Sequence, residues 1–471
     1  MAFHVTSPSS ADDDTPTERL VEACRQIDWD DVPAAEQDHA RALLSDFFGV
    51  LLGSVDAVES SRIVRDWAQT YGDGPATIAG ETSGVAPAVG AFANASVGHG
   101  IELDDTHSGS STHPGVVVIP TALAVAEQEN ASSHEFLGAV VAGYELLIRI
   151  GRVADPAALY DQGFHPTACC GVFGAALTAA RLRGLDREAT VNAVGIAGSF
   201  AAGNLEYLAD GTLSKRIQPG VAAQAGVIAA ALADRGYTGP RSILAGESGF
   251  LQGYSDGSDP SRLFDAPDDE YTFEIARTGV KPHACCRYNQ TPIDCTLAIT
   301  NNHEFDLDNV ESITVDVVEP AIDIVAEPHS EKVRPRTPTD AQFSLPYSVA
   351  VALVAGEAFF EQYREPYLTD EQVLSIAERV AGEHDPALDE EYPDQWGASV
   401  TVTLTDGTEH TAAFDTCRGD PGNMLTSEEL ESKVRALAGR ELDDGQLDAL
   451  VDAANAVDQA DDVSALTDLL S

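Results

Sequence analysis

Apolar residues recur at helical spacing through the first half of the chain, with few runs that alternate like strands. Thr17–Ile27 and Pro33–Leu52 read as amphipathic helices; in the second, Ala40, Leu43, Leu44, Phe47 and Leu51 share one face. Ser60–Tyr71 continues as helix until the GDGP text at 72–75 breaks it. Ser83–Val97 is an uncharged run of small residues, suited to close helix packing. Val116–Gln128 follows as helix. Ser132 and Glu135 then form a capping box for a helix to about Val153. Pro166–Arg183 ends at Gly184, Asp186 caps a helix to about Ala201, and Pro219–Arg235 ends at Gly236.

The pattern changes near Gly253. An acidic loop spans 254–270, and Tyr271–Ala276 reads as a strand. Pro292–Ile299 is helical, and Ser312–Val318 alternates like a strand. Ala341–Gly356 and Asp370–Ala381 read as helices. Asp406-Gly407 between Ala398–Leu404 and His410–Phe414 signals a hairpin. From Ser427 to Leu470 the pattern is helical again. The expected architecture is mainly α: a large helical domain formed by both chain ends, with a smaller α+β lid domain inserted in it. The expected boundaries are an acidic disordered tail at 1–16, the helical domain at 17–268, the lid at 269–416, and helices completing the first domain at 417–471.

Charge narrows the function classes. There are 77 acids against 27 Lys and Arg, a net charge of −50, spread along the chain. That distribution points to a solvated, salt-adapted (halophilic) surface and against nucleic acid as a partner, since phosphate binding needs a basic face. Lysine is confined to Lys215, Lys281, Lys332 and Lys433, so each is a candidate for a specific role. The seven cysteines include two adjacent pairs and no CxxC text, and read as buried small apolar residues. No signal-peptide core and no membrane-spanning run is present, and the expected compartment is the cytoplasm. No glycine-rich nucleotide loop is evident.

Four polar loops interrupt the small-residue helices. The densest is His99–His113, with three histidines and three acids in fifteen residues. The others are Gly163–Thr167, centred on His165; Leu208–Gly220, carrying Lys215 and Arg216; and Val280–Ala284, carrying Lys281 and His283 with Arg287 and Tyr288 behind it. Each has a structural alternative: His165 as a helix cap, Asp104 and Asp105 as a turn, Lys215-Arg216 as a surface pair, His283 as a loop residue. Together they suit acid–base chemistry on an anion. Histidine exchanges protons near neutral pH, and Lys215, Arg216 and Lys281 can hold carboxylates. His99, Asp104, Asp105, His107 and His113 are metal-ligand types, but their spacing fits no helical ligand pair, so no metal is expected.

Several stretches resemble the MmgE/PrpD family, whose members include 2-methylcitrate dehydratase and cis-aconitate decarboxylase. They are ELDDTH with THPG and VVVIPTALAVAE, YELLIRIGR at 144–152, and GFHPTACCGVFGAALTAARLRGL at 163–185. LSKRIQPGVAAQAGVIAAALA at 213–233, GFLQGYS at 249–255 and KPHACCRYNQTPID at 281–294 continue the match. The resemblance implies a helical domain and a lid with the site between them, a homodimer, and no metal or organic cofactor. It places the site on Glu102, Thr106, His113, His165, Lys215, Lys281 and Tyr347, with His283 and Asp105 as neighbours. The sequence departs from the family text in carrying Glu102 where Asp is usual, and His113-Pro114-Gly115-Val116 where the dehydratase branch favours HPSD. The expected activity is a cofactor-free lyase on a small di- or tricarboxylate, first a hydro-lyase of the 2-methylcitrate dehydratase type, in propionate metabolism. The alternatives are a cis-aconitate decarboxylase-type carboxy-lyase, a polycarboxylate isomerase, or a non-catalytic dimeric binding protein. Pyridoxal-phosphate chemistry at Lys215 and a metal-dependent hydratase are the rival enzyme classes.

Overall fold

The computed structural model describes residues 14–255, 258–266 and 271–470. The expected tail lies outside them up to residue 13, as do parts of the 254–270 loop. The first described helix starts earlier than expected. Thr15 and Glu18 form a capping box for Pro16–Arg25, with proline in the first turn where its missing N–H costs nothing.

Long helices of small residues build the larger part of the molecule: Ala34–Ser54, Pro87–Gly98, Gly115–Glu129, Ser133–Ala154, Pro166–Leu182, Arg187–Ala197 and Gln218–Ala233. Glycine lets their backbones meet. A Cβ at Gly226 would overlap Ala175 of the neighbouring helix, and one at Gly143 would overlap Thr178. The Ser132–Glu135 capping box and the Asp186 cap form as the sequence predicts. The helix expected from Ser83 instead begins at Pro87, because Ala76 and Val85 pair as an antiparallel bridge just before it.

The α+β part holds a four-stranded sheet in the order β4-β3-β5-β6, formed by Val310–Val317 (β3), Val380–His384 (β4), Ala398–Leu404 (β5) and Glu409–Phe414 (β6). The hairpin forms, with Val400 opposite Ala412. Alternation in β5 buries Ala398, Val400, Val402 and Leu404 on one face. Strand β4 runs parallel to β3, which requires the long helical crossover between them. The helix expected over 370–381 therefore stops at Ala377, and its last residues feed β4. The strand expected at Tyr271–Ala276 is replaced by a short helical turn, Glu274–Arg277. The strand lies just beyond it, at Thr278–Gly279 (β2), and pairs with Thr106–His107 (β1).

Two large hydrophobic cores result, beside a small cluster of Val64, Ala68, Ile78, Val85, Val89 and Ala93. One unites helices from Leu20 onward with Val434–Leu470 from the far end of the chain. The other packs the sheet against Leu345–Ala355 and neighbouring turns, and reaches Ile101, Leu103 and Tyr207. All seven cysteines are free and buried. Among the described residues no helix is long and apolar enough to cross a membrane.

Candidate active site

The polar loop joining Pro87–Gly98 to Gly115–Glu129 is buried throughout, so its irregular backbone needs partners other than water. Long side chains from distant segments supply them. Arg216 donates to the carbonyl of His99 at 3.0 Å, Gln342 to Ile101 at 2.9 Å, and Lys281 to Glu102 at 3.2 Å. Lys433 donates to Leu103 at 3.0 Å, and His113 Nδ1 to Asp105 at 2.8 Å. Glu102 itself has a left-handed backbone (φ 61°), a conformation that costs a non-glycine residue about 1 kcal/mol or more.

That turn directs the Glu102 carboxylate into a cluster of three cations. It pairs with Lys215 and Arg216 directly and lies 3.5 Å from the Lys281 ammonium. Burial opposes its ionisation, but Lys215, Lys281 and Arg216 outweigh burial and hold its pKa well below the usual range. Burial pushes the Lys215 ammonium down to about 8, with Glu102 opposing the shift. Lys215 thus stays charged at neutral pH but gives up its proton far more readily than an exposed lysine.

Three imidazoles gather on the same side. The His99 and His113 rings are 5.2 Å apart, and His165 lies 6.1 Å from His99 and 6.4 Å from His113. Each is oriented by a partner that can only accept. His113 Nδ1 faces the Asp105 carbonyl, with Thr106 Oγ1 at 3.3 Å and Asp104 Oδ2 at 3.4 Å. His165 Nδ1 faces Gln218 Oε1 at 2.7 Å, and the Gln218 amide is fixed by donating to the Asn204 carbonyl. His99 Nδ1 donates to Asp104 Oδ2 at 2.8 Å. These contacts assign the Nδ1–H tautomer to His113 and His165 and leave their Nε2 lone pairs available. Burial lowers the His113 pKa to about 3, against the pull of Asp104, and burial together with Lys215 holds His165 well below its ordinary value. Both are neutral imidazoles at neutral pH. Asp104 is ionised: burial would raise its pKa, but His99 and His113 outweigh it.

A narrow cavity of about 40 Å³, open on one side, lies against this wall. Glu102, Thr106, His113, His165, Tyr207 and Lys215 line it from the helical part, and Cys286, Arg287, Tyr288, Phe343 and Trp396 from the α+β part. The Lys215 ammonium, 4.8 Å from the centre of the Phe343 ring, supplies it with a positive pole.

The sequence-predicted residues divide into two groups. Glu102, Thr106, His113, His165 and Lys215 reach the cavity. Lys281 and Arg216 lie behind it, holding the loop carbonyls and the Glu102 carboxylate. Asp105 is also behind: it accepts from the Gly115 N–H and from the Tyr144 hydroxyl at 2.7 Å. Burial raises its pKa to about 7. His283 is turned away, with Nε2 at 3.0 Å from Asp294. Tyr347 is not brought to the site. Its hydroxyl donates to the Gln362 carbonyl at 2.8 Å, and its ring packs beside Tyr363 inside the second core. From sequence, His99 and Asp104 stand out only as metal-ligand types, and Gln218 is not singled out. His99 and Asp104 stand in the dense loop, and Gln218 follows the Lys215-Arg216 pair, but only the folded chain shows what each one orients.

The cluster thus combines a buried ammonium with two neutral imidazoles, an arrangement that can bind an anion and move protons. Among the described residues no group of three His, Cys, Asp or Glu side chains is arranged to hold a metal ion. In comparisons with known proteins, residues 18–263 match the family model described as the MmgE/PrpD N-terminal domain, and residues 283–458 match the MmgE/PrpD C-terminal domain. Curated relatives include a cis-aconitate decarboxylase-like protein of Aspergillus oryzae, 27% identical over 99% of both chains. A cis-aconitate decarboxylase of Aspergillus terreus is 25% identical over 98% of both. That of Mus musculus is 26% identical over 82% of this chain and 78% of its own.

Proposed function

The chain belongs to the MmgE/PrpD family, and from that premise we propose that it is a cofactor-free lyase of small polycarboxylates, in the first place a carboxy-lyase of the cis-aconitate decarboxylase type. The observation that carries this reading is Lys215: a buried ammonium, held by Glu102, on the wall of a small cavity it shares with the neutral His113 and His165. The relatives named as cis-aconitate decarboxylases set the order of the readings, and the hydro-lyase favoured by the sequence becomes the second.

In decarboxylation the carbon–carbon bond to a carboxylate breaks and carbon dioxide leaves. The electron pair passes into the adjoining unsaturated acid. Lys215, on the cavity wall, is the group that would stabilise that charge, and its pKa of about 8 makes it a competent donor of the proton that the carbanion takes up. Thr106 and Asp104 keep His113 oriented, and Gln218 does the same for His165. A bound polyanion raises the pKa of both imidazoles, allowing either to join the proton transfer. Arg216 and Lys281 act through Glu102, setting the position of Lys215.

The hydro-lyase reading draws on a separate observation: two oriented, neutral imidazoles beside an ammonium are more than decarboxylation needs. In dehydration one imidazole removes the proton next to a carboxylate, while Lys215 protonates the departing hydroxyl. We also assign the protein a salt-adapted cytoplasmic setting and a homodimeric state. The exposed Trp67, Ile217 and Val221 are available to such an interface.

The test is purified protein in high salt with cis-aconitate, citrate and 2-methylcitrate, followed by mass change. Loss of carbon dioxide from cis-aconitate supports the first reading. Loss of water from a hydroxy acid supports the second, and rearrangement at constant mass supports isomerisation. Binding without any conversion would overturn the enzymatic readings in favour of a binding protein.

A further inference from the structure

Arg287 is 4% exposed and lines the cavity from the α+β side, in the turn that leads into the helix Gln290–Asn302. Its guanidinium lies 5.0 Å from the centre of the Trp396 ring, and Nη2 donates to the Asp420 carboxylate. Asp420 also accepts from the Ser108 hydroxyl at 3.3 Å. The pairing with Asp420 uses only part of the fork. Arg287 Nε and Nη1 are buried and have no hydrogen-bond partner among the described residues. Arg216, by contrast, is shared among Glu102, Gln342 and the His99 carbonyl. Buried N–H groups are nearly always paired, and unpaired guanidinium N–H groups on a residue that lines a cavity are suited to a carboxylate oxygen. Among the described residues, Lys215 and Arg287 are the two cationic side chains lining this cavity, and they come from opposite parts of the fold.

We propose that Arg287 binds a second carboxylate of the substrate, so that the site selects acids with at least two carboxylates and holds them between Lys215 and Arg287. This rests on the polycarboxylate reading above. Trp396 holds the plane of the guanidinium, Asp420 anchors one end of it, and the open nitrogens receive the ligand. Arg287 thereby determines specificity; the proton chemistry stays with Lys215 and the imidazoles.

The test is calorimetric binding of tricarballylate, an unreactive tricarboxylate, and of butyrate, a monocarboxylate, to the full-length protein in high salt. Wild type is compared with Arg287→Gln, Arg287→Lys and Asp420→Asn, each checked for thermal unfolding. Removing a charge-assisted contact predicts a loss of about tenfold or more in tricarballylate affinity for Arg287→Gln. Butyrate binding should be unchanged, Arg287→Lys should recover part of the loss, and Asp420→Asn should keep most of the affinity. If Arg287→Gln does not fold, Arg287→Lys carries the test, because it keeps the charge but not the fork. Equal destabilisation of the Arg287 and Asp420 variants with unchanged tricarballylate affinity would make Arg287 a structural partner of Asp420 and overturn the proposal alone. Wild type that binds no polycarboxylate at all would overturn the reading of the site as well.

Discussion

Glu102→Gln tests the electrostatic centre of the site with almost no change in shape. In the native protein one carboxylate faces Lys215, Arg216 and Lys281, and all four side chains are buried. Removing its charge leaves three cations without their shared anion. Breaking a buried pair in this way costs about 3–5 kcal/mol, a large fraction of a typical folding free energy of about 5–15 kcal/mol. Lys215 bears most of the change, since Arg216 keeps the His99 carbonyl and Gln342. A unit charge at contact distance contributes about 4 kcal/mol at an effective dielectric of about 20, or about 3 pK units. Lys215 then titrates well below its native value of about 8 and is largely neutral at pH 7. The assays are thermal unfolding and the pH dependence of kcat/KM. Wild-type activity should fall as pH rises through about 8, as Lys215 loses its proton. In Glu102→Gln that limb should move to the acid side of neutrality, and a bound polyanion should stabilise the variant more than the wild type. Glu102→Asp keeps the charge on a shorter arm, so it should recover stability before activity. A Glu102→Gln protein as stable as wild type, with the same alkaline limb, would refute the placement of these charges.

Three further outcomes follow from the same structure. Tyr347→Phe removes a hydroxyl bonded to the Gln362 carbonyl, far from the cavity; it should cost about 1 kcal/mol of stability and leave kcat/KM within about twofold, and a tenfold loss would return Tyr347 to the site. His113 is held neutral by burial, with its pKa lowered from 6.5 to about 3, so the unfolded chain binds a proton in that window that the folded one does not. Stability should therefore be fully present above about pH 6.5 and fall by up to about 4 kcal/mol as pH drops toward 3; denaturant midpoints across that range check it, and His113→Asn should flatten the slope. Finally, 77 acids against 27 bases repel one another across the surface. Lowering salt from about 1 M to about 0.01 M lengthens the screening distance from about 3 Å to about 30 Å, so the unfolding temperature should fall steeply; an unchanged value would remove salt adaptation as the reason for the charge.

How much of this was legible in the sequence depends on how local each signal is. The Ser132–Glu135 capping box, the Asp186 cap and the Asp406-Gly407 hairpin are carried by neighbouring residues and appear where expected, whereas several helix ends shift by a few residues. Strand β4 is short, follows a helix and finds its partner about 70 residues away, so its text reads as more helix. The polar loop at 99–113 is visible as a dense cluster, but the cluster alone does not separate residues that face the cavity from those that support it.

The lysines show why. Scarcity on a surface depleted of lysine marks all four as special, and none is exposed. Their roles nevertheless differ. Lys215 reaches the cavity, whereas Lys281 and Lys433 spend donors on the carbonyls of Glu102 and Leu103. Lys332 spends its donors on Ile324 and Phe343. A buried irregular loop needs donors for its carbonyls, and a long cationic arm supplies them from elsewhere in the fold. The site therefore needs most of its positive charge to build the wall, and among the described residues only Lys215 and Arg287 remain to meet a ligand. A substrate held by so few cations in a chain of net charge −50 must be recognised through their fixed positions rather than through a general positive field. That is why small displacements of Lys215, caused by changes at Arg216 or Lys281, should alter catalysis without either residue touching the substrate.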